Sequence, residues 1–336
     1  MAVIVSVMPK WRFDTSRVEL PPHWDFQFIN PATDAELINA CRQADCLLVP
    51  ASFPVINAAM LRQLSHLQLI QTVGAGYDLI DSMAAAELGI PVANVPGANA
   101  KSVAEFTVGL IIALQRQLCT ADRETKAGHY AAIRQALLKT GLNEISGSVI
   151  GLVGLGAIGC QVARIMTFLG ASVCYYSRSG SAAALVPELA ITYKPLHELL
   201  AISNIVSVHV PLTADTRGLI GRYELGLMPA GSLLVNTARG EVIDQQALAA
   251  MLETGHLGGA AVDVVAPEPP PPDHPLLSLS PAARDRLLIT PHIAGVTIGA
   301  FRDMLLGALE NIGRVLAHTP PHNVVNGVAV KNKDYT

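Results

Sequence analysis

Glycines 154, 156 and 159 stand in the run Gly154-Leu155-Gly156-Ala157-Ile158-Gly159, directly after the apolar stretch Val149-Ile150-Gly151-Leu152-Val153. Apolar residues then resume at Val162, Ala163, Ile165 and Met166, at helical spacing. The pattern reads as a buried strand turning into a helix. Gly154 allows the tight turn, Gly156 lets the backbone approach a pyrophosphate, and Gly159 lets the helix pack on the strand. The start of the helix, with Ala157 and Ile158, offers N–H groups to an anion. Gly170 closes the helix, and Ala171-Ser172-Val173-Cys174-Tyr175-Tyr176 reads as the next strand. That completes the βαβ unit which a dinucleotide fingerprint requires. Gly154, Gly156, Ala157, Ile158 and Gly159 are therefore assigned to a cofactor.

The end of that second strand bears on which cofactor. A site built for NAD carries an Asp or Glu roughly 20 residues beyond the fingerprint, where it accepts the ribose hydroxyls. This chain has Ser177-Arg178-Ser179 there. With no carboxylate there is no repulsion toward a 2′-phosphate, the two hydroxyls can donate to it, and the guanidinium can pair with it. NADP(H) is the expected cofactor, with NAD(H) as the alternative in which Arg178 stacks on adenine or faces solvent.

The elements that must position these residues follow from the rest of the chain. It has 336 residues, 51% hydrophobic and 15% charged, enough for a large core and two domains. Before the fingerprint, strands at 2–7, 46–49, 67–73 and 91–94 alternate with helices at 34–42, 57–64 and 79–88, which describes a small α/β domain. Gly74-Ala75-Gly76-Tyr77-Asp78 lies at the end of its third predicted strand, where open α/β sheets place ligands. An apolar helix is predicted over 102–121. After the fingerprint, strands at 205–210, 232–236, 259–264 and 287–290 and a helix at 244–254 build a larger doubly wound domain. A last apolar helix at 298–317 returns to the first domain, which is then discontinuous. The proline-rich stretch 267–275 excludes helix and central strand and reads as a stiff loop. Residues 1–99 and 293–336 are expected to form one domain and 100–292 the dinucleotide-binding one.

Composition excludes other classes. A net charge of -4 gives no basic field for a nucleic acid or an anionic membrane. No run is long enough for a membrane span, and the apolar start 2–7 is too short for a signal core, so a cytoplasmic protein is expected. Cys41, Cys46, Cys119, Cys160 and Cys174 show no C-x-x-C spacing, so neither a disulfide framework nor a metal site is expected.

Further motifs stand in order along the chain: Val73-Gly74-Ala75-Gly76-Tyr77-Asp78, Asn94-Val95-Pro96-Gly97 with Ser102-Val103-Ala104-Glu105, the fingerprint, His209-Val210-Pro211-Leu212-Thr213, Asn236-Thr237-Ala238-Arg239-Gly240, Val262-Asp263-Val264 with Glu268-Pro269, and Thr290-Pro291-His292-Ile293. Taken together, they resemble the D-isomer-specific 2-hydroxyacid dehydrogenase family over nearly the whole chain. The resemblance implies two Rossmann-like α/β domains with parallel sheets and an active site in the cleft between them. It makes His292 the acid/base, since hydride transfer to a carbonyl needs a group that titrates near neutral pH. Glu268 would hold the other imidazole nitrogen, and Arg239 would pair with the substrate carboxylate and polarise the carbonyl. The loop Gly74, Ala75 and Gly76 would complete the carboxylate grip. Val210, Pro211, Thr237 and Asp263 would join the cofactor site, Asp263 by orienting the nicotinamide carboxamide.

The expected activity is NADP(H)-preferring interconversion of small 2-keto acids and D-2-hydroxy acids, glyoxylate and hydroxypyruvate first, by a homodimer. Two rivals stand beside it: an NAD-dependent enzyme for another 2-hydroxy acid, and a nucleotide-sensing binding protein on the same fold. Phosphite oxidation ranks lower, because that subgroup resembles a loop with a lysine where Ala75 stands. Phosphoglycerate oxidation also ranks lower, since little chain follows Asn326.

Overall fold

The computed structural model describes residues 1–51, 53–178 and 182–329. The chain divides into two compact units, one made of Met1–Asn99 with Gly295–Thr336, the other of Ala100–Ala294. The boundary falls two residues beyond the 292 read from sequence, for a physical reason: the Asp263 carboxylate accepts the N–H groups of Ile293 and Ala294 and ties both to the second unit.

In the first unit a parallel sheet runs β2-β1-β3-β4-β5, from β1 (Ala2–Ser6), β2 (Trp24–Phe28), β3 (Cys46–Pro50), β4 (Leu69–Val73) and β5 (Val92–Ala93). Its inner strands β3 and β4 are buried on both faces, as strands covered on both sides are. Val5, Leu47 and Val49 pack with Leu37, Met60 and Leu61 on one face. Ile4 and Leu48 pack with Met304, Leu305, Ala308 and Ile312 of the helix Ile298–Leu316 on the other. That helix begins cleanly because the Thr297 side chain accepts the Ala300 N–H. Buried Asn311 then fixes the returning segment, donating to the Gln71 side chain and accepting from His322 N–H. Strand β2 is absent from the sequence reading, so the Gly74 loop follows the fourth strand and not the third. Its Trp24, Phe26 and Phe28 alternate with polar residues, and the latter two meet Phe13 edge-on.

In the second unit the order is β12-β11-β10-β9-β6-β7-β8, all parallel. The strands are β6 (Val149–Val153), β7 (Ser172–Tyr176), β8 (Thr192–Tyr193), β9 (Ile205–Val208), β10 (Leu233–Asn236), β11 (Gly259–Val262) and β12 (Leu287–Ile289). The helices Ala100–Gln115 and Ala157–Phe168 cover one face, with Ala104, Ile111, Val162 and Met166 buried against Ile150 and Leu152. Leu199, Leu225, Leu248 and Leu252 cover the other. The predicted helix 102–121 is two helices. Gln117 takes a left-handed φ of 47°, which ends Ala100–Gln115 and starts Leu118–Lys126 in a new direction. No helix among the described residues is long and apolar enough to cross a membrane.

Sheet order places β6 at a reversal, with β7 on one side and β9 on the other, which is where a doubly wound sheet opens a crevice. The glycines make this reversal close-packed. A Cβ at Gly159 would stand 2.3 Å from the Gly154 carbonyl oxygen. Gly159→Ala should gain about 1 kcal/mol of helix propensity but lose about 1–3 kcal/mol to overpacking, a net destabilisation. Gly226→Ala, in the helix Arg222–Leu227 with nothing within 4 Å of the new Cβ, should instead gain up to about 1 kcal/mol. Urea unfolding of the two variants checks both signs, and a Gly159→Ala protein as stable as Gly226→Ala would contradict the close approach.

Candidate active site

The fingerprint has the shape its residue types require. Gly154 adopts φ 106°, and a Cβ on it would lie 2.8 Å from the backbone of His209 at the end of β9 and 3.0 Å from Val210 Cγ1. Gly156 caps the helix Ala157–Phe168, and a Cβ there would meet nothing within 4 Å. Gly154 and Gly159 thus close the turn, while Gly156 keeps a face open above N–H groups that have no partner within the helix. At the end of β7 the Ser177 hydroxyl is shielded from solvent and, among the described residues, has no partner. This is a cradle that fits a pyrophosphate on the helix and a ribose or phosphate group at Ser177. Arg178 is 88% exposed and approaches Asp215 at 4.0 Å, a surface pair too weak to hold it in place. Ser179 lies outside the described residues. Cys160, in the first turn of the helix, is structural: burial pushes its thiol up, and Sγ donates to the Leu155 carbonyl.

Beyond β11 and β12 the chain assembles a second constellation. Asp263 is 1% exposed, and its carboxylate accepts three hydrogen bonds. Oδ1 accepts the Thr290 hydroxyl at 2.6 Å and Ile293 N–H at 2.9 Å, and Oδ2 accepts Ala294 N–H at 2.8 Å. The Asp263 carbonyl also accepts His292 N–H at 2.8 Å. These bonds enforce an unusual conformation, with His292 at φ 54° in the left-handed region. Its ring then meets Glu268, with Nδ1 2.8 Å from Oε2. An ionised carboxylate only accepts, so Nδ1 carries the proton and Nε2 is left facing outward. The imidazole side chain is 42% exposed and the carboxylate 35%. Glu268 Oε1 accepts Val265 N–H at 3.2 Å. Burial acts to raise the Glu268 pKa, but the bond from His292, the charges of His292 and Arg239 and the Val265 N–H outweigh it and hold the carboxyl below its ordinary value.

Arg239 joins this group through a glycine. A Cβ at Gly240 would stand 2.3 Å from the Val265 carbonyl carbon, so only glycine lets the turn after β10 close on the segment that leads to Glu268. Asn236 shapes that turn, accepting Ala238 N–H and donating to the Arg239 carbonyl. The half-buried Arg239 donates to the Ala238 carbonyl. Two residues that sequence reasoning did not single out fix the other end. Gln245 donates to the Ala266 carbonyl at 2.9 Å and accepts Ala266 N–H at 3.1 Å. Buried His274 accepts Leu276 N–H on Nδ1, which leaves Nε2 to donate to the same Ala266 carbonyl. Both hold the backbone two residues before Glu268.

The remaining predicted positions divide. Val210 packs into the core beside Gly154, and Pro211 is exposed after β9. Thr237 is buried, and its hydroxyl lies 2.9 Å from that of Thr107. Thr107 donates its own proton to the Val103 carbonyl, so Thr237 donates to Thr107. In the first unit the Gly74 loop is pinned through its carbonyls, with Gly74 O accepting Val95 N–H and Ala75 O accepting the Asn94 side chain. Gly74 takes φ 109°, and Ala75 is exposed. A cavity of about 850 Å³ in the second unit, lined by Asn204, Ser232 and Gly258, opens at the opposite edge, before β9, β10 and β11, away from this chemistry.

The family model described as D-isomer specific 2-hydroxyacid dehydrogenase, NAD binding domain, matches residues 108–294. The chain belongs to that family. This 2-hydroxyacid dehydrogenase is an NAD(P)-dependent oxidoreductase. It is 37% identical to a glyoxylate reductase of Thermofilum pendens, over 90% of this chain and 87% of the relative. It is 34% identical to a D-3-phosphoglycerate dehydrogenase of Archaeoglobus fulgidus, over 89% of this chain but 55% of that protein. The crystal structure of the TT0316 protein from Thermus thermophilus superposes with a TM-score of 0.83 at 32% identity, covering 97% of this chain and 100% of that one.

The causes acting on Glu268 give a signed prediction for the dehydrogenase. Its carboxyl carbon should titrate below the ordinary glutamate midpoint in NMR. In His292→Ala the lowering bond and charge are gone while most of the burial stays, so the midpoint should move up. A midpoint that stays put in the variant would break the coupling of the pair.

Proposed function

We propose that this dehydrogenase is an NADP(H)-preferring reductase of small 2-keto acids to D-2-hydroxy acids, with glyoxylate and hydroxypyruvate as its leading substrates. The observation that carries the reading is the His292–Glu268 pair at 2.8 Å, on a loop that buried Asp263 holds in a left-handed turn. A bound nicotinamide supplies the hydride. His292 Nε2 gives a proton to the carbonyl oxygen, while Glu268 keeps Nδ1–H in place and offsets the charge on the ring. Arg239 pairs with the substrate carboxylate and polarises the carbonyl, which favours charge developing on oxygen. The N–H groups of Ala75 and Gly76 add to the carboxylate grip, since the neighbouring carbonyls are committed to Val95 and Asn94. Oδ2 of Asp263 accepts one bond from the loop, which leaves it a lone pair for the nicotinamide carboxamide. A cofactor used mainly for reduction fits the reductive direction.

The complete acid/base set favours an enzyme over a nucleotide-sensing module. His292→Ala should keep cofactor binding and lose roughly 10²–10⁴-fold in turnover with glyoxylate. Turnover like the wild type would remove His292 from this role.

Cofactor choice rests on Ser177 and Arg178. The shielded, unpartnered Ser177 hydroxyl supports a ligand group at the end of β7; neither 177 nor 178 is acidic, and the carboxylate of Asp215, 4.0 Å from Arg178, is 80% exposed and paired only weakly. Arg178→Ala should weaken NADPH and spare NADH. Since Arg178 is 88% exposed, screening puts the loss near the low end for a charge-assisted bond, about 10-fold. Equal weakening of both cofactors in fluorescence titrations would assign the arginine to adenine stacking instead.

A homodimer fits a third observation. The helices Leu118–Lys126 and Tyr130–Thr140 bury no residue, although they carry exposed Leu118, Tyr130 and Leu138. Helices of 9 and 11 residues are marginal unless one face is covered, and a second copy supplies that cover. Sedimentation should show a dimer at micromolar concentration; a 35.4 kDa species would overturn it.

A further inference from the structure

The first unit has a ligand edge of its own. In the order β2-β1-β3-β4-β5 the reversal falls between β1 and β3, and parallel sheets take ligands beyond the carboxyl ends of the strands at such a reversal. The chain leaving β1 enters the helix Lys10–Ser16, so Lys10, Trp11 and Arg12 stand at that place. Arg12 is held in an unusual way. Its Cζ lies 4.4 Å from the ring centroid of Trp11 and 3.8 Å from that of Phe301. Stacking occupies the faces of a guanidinium, whereas its hydrogen bonds leave in the plane. Yet among the described residues the Arg12 side chain makes no hydrogen bond and no ion pair. Trp11 is 55% exposed, so the place is open to solvent. Five donors set in orientation by two rings, with no protein acceptor, suit an anion that arrives from outside.

Distance relates this cation to the Gly74 loop. Phe301 and Met304 are three residues apart on one helix and share a face. Met304 Sδ lies 3.2 Å from the position of a Cβ on Gly74, so the helix residues that meet Arg12 and the loop lie about one turn apart, and the two sites they touch lie further apart than that. In the sheet β1 and β4 are separated by β3 alone, roughly 10 Å at about 4.8 Å per strand. A five-carbon 2-keto diacid matches that span. Its four carbon–carbon bonds cover roughly 5 Å, and charge-assisted hydrogen bonds of about 2.8 Å at each end supply the rest.

We propose that Arg12, held between Trp11 and Phe301, binds a second carboxylate at the far end of the substrate, so that the enzyme takes 2-keto diacids as well as the smallest keto acids. This rests on the reading above, in which the loop Gly74-Ala75-Gly76 grips the first carboxylate. Glyoxylate is too short to reach Arg12, whereas a diacid meets both.

The test compares two acids of one length, 2-oxoglutarate and 2-oxopentanoate, which differ only in a terminal carboxylate against a methyl. With wild-type enzyme and NADPH or NADH, kcat/KM for the diacid should exceed that for the monoacid roughly 10- to 150-fold. Arg12→Met should bring the ratio close to one. Arg12→Lys keeps the charge, loses the planar fork and should give an intermediate ratio, which serves if the Met variant does not fold. Glyoxylate turnover with a wild-type ratio at or below one overturns this proposal alone, as does a ratio unchanged by both substitutions. No turnover of glyoxylate or of either five-carbon acid overturns the underlying reading and this proposal with it.

Discussion

A buried carboxylate with three donors around it holds the chemistry of the second unit in place. Moving Asp263 out of water costs several kcal/mol unless its oxygens are met, and here the Thr290 hydroxyl and the Ile293 and Ala294 amides meet them. The requirement runs both ways. The amides of a tight turn need acceptors as much as the carboxylate needs donors, so the turn can take only the path that satisfies both. That path puts His292 in a left-handed conformation which no local preference of the sequence would choose. Asparagine at 263 would keep the volume, but it would turn an acceptor toward a donor into a donor facing a donor.

Around this anchor, position is set largely by what has been left out. Gly240 allows the Arg239 turn to lie against residues 265 and 266, and Gly154 and Gly159 allow strand, turn and helix to close at the reversal of the sheet. A methyl group at any of these three would push apart backbones that hold functional side chains. Where the chain must instead be held against solvent, in the proline-rich loop, it uses hydrogen bonds. Gln245 meets both polar groups of Ala266, and His274 meets its carbonyl again. Glu268 is thus fixed from one side by packing against Gly240 and from the other by three hydrogen bonds at Ala266.

What could be read from the sequence is what depends on local requirements. The fingerprint was legible because each glycine answers a constraint within a few residues of itself, and the apolar strands were legible because sheets covered on both faces give unbroken apolar runs. Glu268, Arg239 and His292 were singled out through their motifs, and the structure brings Glu268 and His292 to 2.8 Å although 24 residues separate them. Less was visible where the cause is tertiary. Strand β2 depends on aromatic packing against Phe13, and the break at Gln117 depends on one backbone angle in an otherwise helical stretch. Gln245 and His274 look like ordinary surface and loop residues until Ala266 is seen between them. A strand end does not settle which way a side chain turns, and the contact of Thr237 with Thr107 on the neighbouring helix was not visible in the sequence.

Two histidines follow apolar strands of this sheet, and their surroundings divide the work between them. His209, after β9, accepts or donates one bond with Ser207 through Nε2, while its Nδ1 is shut away without a partner. Burial pushes its pKa down to about 4, so at neutral pH only about one molecule in 1000 would carry the proton. A ring held neutral beside the Gly154 turn brings no charge to that turn. His292 instead has a carboxylate on Nδ1 and 42% of its side chain exposed. A group that exchanges protons with a substrate must keep an open edge, and a group that fixes a turn must lose it. Asp263 and His209 are buried where geometry is set, and His292 keeps an exposed edge, as the proton transfer we propose for it requires.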